Sequence, residues 1–382
     1  MSEPAPQSIS APLQATCLCR QNVIPIKTTL PQPAHICHCT SCRTMHGTLF
    51  CMHSDLDELP FSVTSPPPTL KATLTDKSPA PCYIFTCNNC GTWMFATYFF
   101  TRSGELQAGQ CVSTGCLSLS PEYKSSNPTA KLEDVINITM HCLIKDTIDG
   151  GASSWVGDWS KEKQPHFHGR WDEPPLPSRK DAQALLENHS YPTGRKELDG
   201  WCKCQGVKLR IIREDESQKY KAILCACDSC RLAAATDIVP FVLVPRTKAF
   251  FVKGGADNQE LLEWPQAWDD TAKAKFDNMI IYESTPGKVA WGSCRNCGAR
   301  VFYQRYAKRR EGVEVVEPLT GLFGADTTKG ILHLDWLDWI TSAESGGIGL
   351  IEDAEAEGRA GIITRDANER YKEWVNEIKN AQ

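Results

Sequence analysis

The chain has 382 residues, 41% hydrophobic and 23% charged, with a formal net charge of −5. That length suggests two domains, and the mild acidity gives no electrostatic pull toward nucleic acid or an anionic membrane. With no run of about 18 apolar residues and no basic, apolar leader at the start, the chain is expected inside the cell, in the cytoplasm with the nucleus as the other compartment open to it. Its 19 cysteines are therefore expected to serve metal rather than disulfides.

Taken in chain order, residues 1–14 read as a disordered tail and 15–151 as a first, mainly β domain. It carries Cys17-x-Cys19, then Cys37-x-Cys39-x-x-Cys42-Arg43, then the strand-like "YIFTC", then Cys87-x-x-Cys90-Gly91 and "TWMFATYFF". Residues 152–197, rich in proline and charge, read as a linker. It holds one helix over Ser178–His189 that Ser178 and Asp181 would cap, and a solvent-exposed His166-Phe167-His168. A second β domain spans 198–350. There "VKLRII" turns Val207, Leu209 and Ile211 to one face, and "IVPFVLV" and "ARVFY" read as further strands. Lys308-Arg309-Arg310 reads as a solvated loop rather than a nucleic-acid patch. In the helical tail, 351–382, Tyr371, Trp374, Val375 and Ile378 form one apolar stripe, expected to dock on its own domain rather than on a partner.

The cysteine pattern is a repeat. Cys202-x-Cys204, Cys225-x-Cys227-x-x-Cys230-Arg231 and Cys294-x-x-Cys297-Gly298 follow their first-half counterparts in the same order, with length differences only between the clusters. "IKDTIDGG" from Ile144 and "ITSAESGG" from Ile340 extend the echo. The expected architecture is thus mainly β, two tandem metal-binding domains joined by the linker, with a short C-terminal helix.

Two ligands on a tight turn chelate one ion, and two such turns make a closed tetrathiolate. Cys17, Cys19, Cys87 and Cys90 form one expected structural site, and Cys202, Cys204, Cys294 and Cys297 the other. Each middle cluster then offers three thiolates, and three protein ligands with a vacant fourth position mark a working zinc. The alternative is a fourth ligand from elsewhere. His35, His38, His46 and His53 could supply it in the first half; His333, Asp228 or a first-half group could in the second. Three thiolates make a poor Lewis acid toward water and favour another sulfur, so the expected ligand is a small thiol or thiol adduct whose C–S bond is made or broken. Cys51, Cys82, Cys111, Cys116 and Cys142 read as buried small hydrophobes.

In the contexts "HCTSCRTMHGTLF" and "GWCKCQGVKL", these motifs resemble the family of glutathione-dependent formaldehyde-activating enzymes and centromere protein V, in a tandem, fungal-type form. The resemblance implies a β-tent fold with up to two Zn2+ per domain, one structural and one held by the triad. It implies Cys37, Cys39 and Cys42, and Cys225, Cys227 and Cys230, as catalytic zinc ligands, with glutathione as co-substrate and a carbon–sulfur lyase type of reaction. Arg43 and Arg231 could hold a carboxylate of a glutathione-like ligand, or bond local carbonyls, or lie exposed. Gly47 is matched by Ala235, so the first half stands closer to the family pattern and is the copy expected to be active. The competing readings are a non-catalytic, zinc-stabilised scaffold and a thiol redox sensor.

Overall fold

The computed structural model describes residues 11–76, 82–102, 105–156, 176, 179–255, 258–306, 309–310, 312–326, 328, 330–340 and 365–380. His166 and His168, and the echo beyond Ile340, lie outside them. The described chain is mainly β, as the apolar and β-branched runs predict. No described helix is long and apolar enough to cross a membrane.

In the N-terminal half the strands are β1 (Leu13–Thr16), β2 (Val23–Ile26), β3 (Gln32–Cys37), β4 (Cys51–Leu56), β5 (Leu70–Asp76), β6 (Cys82–Cys87), β7 (Trp93–Arg102), β8 (Glu105–Ser113), β9 (Leu117–Leu119) and β10 (Ile136–Cys142). They form a small sheet, β2-β1-β9, and a large one, β10-β3-β4-β8-β7-β6-β5, in which only β10 and β3 run parallel. Alternation buries Ala34 and Ile36 of β3. The tail expected through residue 14 is shorter, because Leu13 opens β1 and is fully buried.

The C-terminal half supplies β11 (Glu197–Trp201), β12 (Lys208–Ile212), β13 (Tyr220–Cys225), β14 (Val239–Val242), β15 (Val244–Pro245), β16 (Ala249–Lys253), β17 (Glu260–Glu263), β18 (Met279–Thr285), β19 (Val289–Cys294), β20 (Arg300–Arg305), β21 (Arg309–Arg310), β22 (Val313–Pro318) and β23 (Leu337–Trp339). The order β14-β13-β23 continues in β15-β22-β20-β19-β18. It repeats the large sheet of the first half with a break at Leu243, and β23 is again parallel to its neighbour β13. Among the described strands, no pairing crosses from one half to the other. Arg309 and Arg310 pair with Glu314 and Val313, so that basic cluster is partly a strand edge rather than the expected loop.

The halves meet through reciprocal contacts. The Thr40–His46 helix packs on the 3-10 turn Thr320–Ala325, and the Asp228–Ala234 helix packs on the 3-10 turn Thr114–Cys116. Both turns begin Thr-Gly. A Cβ on Gly115 would collide with the backbone at Ala235–Thr236, and one on Gly321 with the backbone of Thr48, so two main chains touch where only glycine fits. Gly321 N donates to Gly47 O at 3.0 Å, and Thr114 Oγ1 donates to Asp237 at 2.6 Å. Asp149 accepts from Ile331 N and Leu332 N at 2.7 and 2.9 Å, carrying the seam to the other end of the first half.

The stretch expected as a free linker is core at its start. Ala152, Trp155 and Val156 are buried, and Leu176 packs with Ile144 and Leu185 beside the Arg179–Glu187 helix. The C-terminal helix, Arg365–Asn380, buries Tyr371, Trp374 and Val375. It does not dock on one half alone: Tyr371 meets Trp155 edge-on, Trp374 packs tilted against Trp155 and edge-on against Trp339, and Arg370 Nε donates to Trp155 O at 3.1 Å.

Gly321→Val should force the seam apart, at a cost of about 2–4 kcal/mol or outright insolubility. A urea midpoint equal to that of the parent protein would show that the seam does not hold the halves together.

Candidate metal centres

The C-x-C pairs sit in the turns between β1 and β2 and between β11 and β12. The C-x-x-C-Gly knuckles sit between β6 and β7 and between β19 and β20. Local backbone geometry repeats closely. Arg20 and Gln205 adopt left-handed φ of 60° and 57°, and Gly91 and Gly298 have φ of 71° and 73°. These turns aim four thiols inward. Cys17 and Cys19 are 3.5 Å apart and Cys19 and Cys87 3.6 Å; Cys202 and Cys204 are 3.6 Å apart and Cys204 and Cys294 3.5 Å. A tetrahedral ion with bonds of about 2.3 Å needs sulfur–sulfur edges of about 3.8 Å, so both sets fit a metal. Backbone N–H groups of Asn22 and Val207 each donate to a cluster sulfur at 3.3 Å, which favours the thiolate form. The predicted pairing of first and last cysteine motifs is what the structure brings together in both halves.

Four thiolates on a divalent ion leave about −2 of charge in a half-buried site, and the other half supplies an answer. Arg300 is buried, donates through Nε to Ala233 O at 2.8 Å and through Nη2 to Cys90 O at 3.0 Å, and lies over Trp291. Burial pushes its guanidinium down to about 10, still charged at neutral pH, while Cys90 and Cys87 favour the charge. The knuckles also touch across the seam: Gly91 faces Ser293, and Gly298 faces Thr86.

The triads are built alike. Cys37 ends β3, Cys39 caps the Thr40–His46 helix and accepts from Cys42 N at 3.4 Å, and Cys42 lies in its first turn. Cys225, Cys227 and Cys230 repeat this on β13 and the Asp228–Ala234 helix. The three C-terminal sulfurs lie within 4.8 Å of one another, and no other described Cys, His, Asp or Glu joins that group. His333, Asp228 and first-half groups, offered by the sequence as closing ligands, are thus not among its members. Cys225 and Cys230 sit in an apolar cluster with Val239, Phe241 and Trp291, with Tyr303 packed on its edge. The Cys225 side chain and then Cys230 pull the Cys227 thiol down, to about 3.

The N-terminal triad has company that the sequence reading did not assign to it. Cys51 on β4 and Cys142 on β10 both stand opposite Cys37 in the strand register, and Cys37, Cys42 and Cys51 lie within 4.8 Å of one another. The thiol of Cys142 donates to Ile36 O at 3.5 Å. Hydrogen bonds from Cys142, then Cys39, Cys42 and Cys51, hold Cys37 well below the usual thiol range. Cys51, read as a small hydrophobe, thus also stands among possible metal ligands, whereas Cys142 is buried as expected and belongs to no such group. The repeat could not have found Cys51, since Val239 stands at its place in the second half.

None of the four nearby histidines joins the Cys37–Cys39–Cys42 set. His35 pairs with Asp55 at 3.5 Å, and His38 Nε2 stands 3.0 Å from His141 Nδ1. His46, His53 and Cys51 form a second, buried group. The carbonyl of Ala234 can only accept, so His46 Nδ1 donates to it at 2.9 Å. His53 Nε2 then donates to His46 Nε2 at 3.2 Å, leaving His53 Nδ1 to face the Cys51 thiol at 3.6 Å. Burial pushes His46 down to about 4, which keeps the ring neutral in this role at pH 7.

Arg43 and Arg231 do not present a fork to a ligand carboxylate. Arg43 is fully buried; it donates to His38 O at 2.9 Å, Gly324 O at 3.0 Å and Thr40 Oγ1 at 3.1 Å. Arg231 donates to Gly115 O at 2.7 Å and pairs with Asp228. The second of the readings left open, a bond to carbonyls, is the one observed, and the carbonyls of Gly324 and Gly115 belong to the opposite half.

Arg43→Met should lower stability by about 2–4 kcal/mol, because several buried carbonyls lose a donor. Thiol uptake per folded molecule should be unchanged; a selective loss of uptake with stability intact would restore the ligand-binding role. Cys90→Ser should remove an ion that can contribute on the order of 10 kcal/mol. Since Arg300 anchors on Cys90 O, the two halves should melt together. Two separate calorimetric transitions would show that they are independent.

No curated protein and no solved structure matches the chain. Residues 12–132, which hold the first tetrathiolate set and the first triad, match the family model described as glutathione-dependent formaldehyde-activating enzyme.

Proposed function

We propose that this is a zinc-dependent enzyme of the carbon–sulfur lyase type. In this reading glutathione or a related small thiol is joined to, or released from, formaldehyde or a similar carbonyl compound at a three-cysteine site. The observation that carries the proposal is the Cys225–Cys227–Cys230 group, three convergent sulfurs with no fourth protein ligand among the described residues. The family match over 12–132 supplies the substrate class. The matching strand order and the reciprocal seam support descent from a duplicated domain, with boundaries near 15–151 and 198–350 and the two tetrathiolate zinc sites as structural staples.

Bound zinc would hold the incoming thiol as thiolate at neutral pH. In the forward direction the sulfur forms a bond to the carbonyl carbon, the C=O π pair moves to oxygen, and the proton lost from the thiol ends on that oxygen. The chain's share is placement. Cys225, Cys227 and Cys230 fix three corners of the site from one tight loop, and the apolar cluster of Phe241, Trp291 and Tyr303 limits water on one side.

Exchange NMR on formaldehyde, glutathione and their adduct tests the reaction. The protein should accelerate interconversion, and the double variant Cys39→Ser, Cys227→Ser should lose that acceleration at least tenfold while remaining folded. Equal rates with and without protein would leave a zinc-stapled binding protein.

A further inference from the structure

We propose that Cys51 closes the N-terminal triad as a fourth thiolate, so that the thiol-accepting site of the chain is the C-terminal triad, Cys225, Cys227 and Cys230. The assignment of the open site rests on the function proposed above; the closure by Cys51 does not. It also runs against the expectation that the half nearer the family pattern is the active one.

Strand register carries the argument. Cys51 is the antiparallel partner of Cys37 across β3 and β4, and Val239 is the antiparallel partner of Cys225 across β13 and β14. Directly paired residues project to the same face with Cβ atoms about 4.5–5.5 Å apart. At one position the sheet therefore presents a sulfur to the triad, and at the equivalent position two methyl groups. Cys51 is fully buried and its sulfur lies within 4.8 Å of both Cys37 and Cys42, while Cys39 contacts those same two thiols. Cys37, Cys42 and Cys51 thus form the convergent group, and Cys39, which interacts with two of its members, stands beside it. Cys142 is the weaker candidate, since its thiol is directed at Ile36 O and it belongs to no ligand group.

Charge differs between the halves as well. A fourth thiolate moves a divalent site from about −1 to about −2. On the N-terminal helix, Arg43 meets a neutral Thr40, and Cys39 is the strongest influence favouring its charge. On the C-terminal helix, Asp228 takes the place of Thr40 and pairs with Arg231. The two helices thus differ at this position, a carboxylate paired with the arginine in one and a hydroxyl in the other, while Asp149 and Asp146 also favour the charge of Arg43.

The test uses full-length protein, Cys51→Val, Val239→Cys and Cys227→Ser, each loaded with zinc or with cobalt(II). Native mass spectrometry counts metals and bound reduced glutathione, and sulfur-to-cobalt charge-transfer absorbance counts metal–thiolate bonds. The parent protein should take up one glutathione, lost in Cys227→Ser. Cys51→Val should gain a second glutathione and lose one cobalt–thiolate bond in the glutathione-free spectrum. Val239→Cys should do the reverse on both readouts. Cys51→Ser serves as the second variant should the valine protein fail to fold. Unchanged charge-transfer intensity in Cys51→Val and Cys51→Ser would overturn the closure, as would two glutathiones on the parent protein. A metal lost from His53→Asn would also overturn it, by placing the ion on the histidines. Absence of glutathione from every variant would sink the proposed thiol chemistry, while the cobalt spectra would still decide whether Cys51 is a ligand.

Discussion

Anionic thiolate clusters held inside a protein need nearby positive charge or dense hydrogen bonding, and much of this fold answers to that need. The N-terminal half does not meet it alone. The cluster around Cys17 and Cys90 meets a guanidinium, Arg300, that comes from the other half, and that side chain then anchors on Ala233 O beneath the opposite triad helix. Arg43 and Arg231 cross the seam in the same manner, each from a triad helix to a carbonyl of the opposite turn. Buried cations thus serve two ends, offsetting thiolate charge and fastening one half to the other.

This arrangement places each triad and the seam on the same seven-residue helix. Its first turn carries sulfur ligands, and its last residues contact the neighbouring half, as His46 does through Ala234 O. A displacement at the seam would therefore move the ligands of a triad by a path one short helix long. The histidine chain from Ala234 O to Cys51 gives the N-terminal site a second link of this kind.

The sequence made the metal chemistry legible because ligand spacing is a local property. Cys17-x-Cys19 and Cys87-x-x-Cys90 could be paired on paper, and so could their second-half equivalents, since a tight turn allows little else. Contacts between halves have no such spacing rule. The roles of Arg43 and Arg231 stayed open because an arginine next to a metal site is ambiguous until its acceptors are known, and backbone carbonyls carry no side-chain signature. Trp155 looked like linker for the same reason: its partners, Tyr371 and Trp374, lie more than two hundred residues away. Cys51 was missed because strand register, not spacing, puts it beside Cys37.

Reciprocal contacts such as Gly115 on Ala235 and Gly321 on Thr48 are those of a two-fold dimer, in which every residue occurs twice. Here the two partners are segments of one chain, which has two effects. Their association is intramolecular, at an effective concentration that dilution does not change. And a substitution falls on one copy only. In a dimer of identical subunits, a thiol gained at the position of Cys51 would appear at both sites together. In this chain the equivalent position holds valine, so one site can be changed without imposing the same change on its twin.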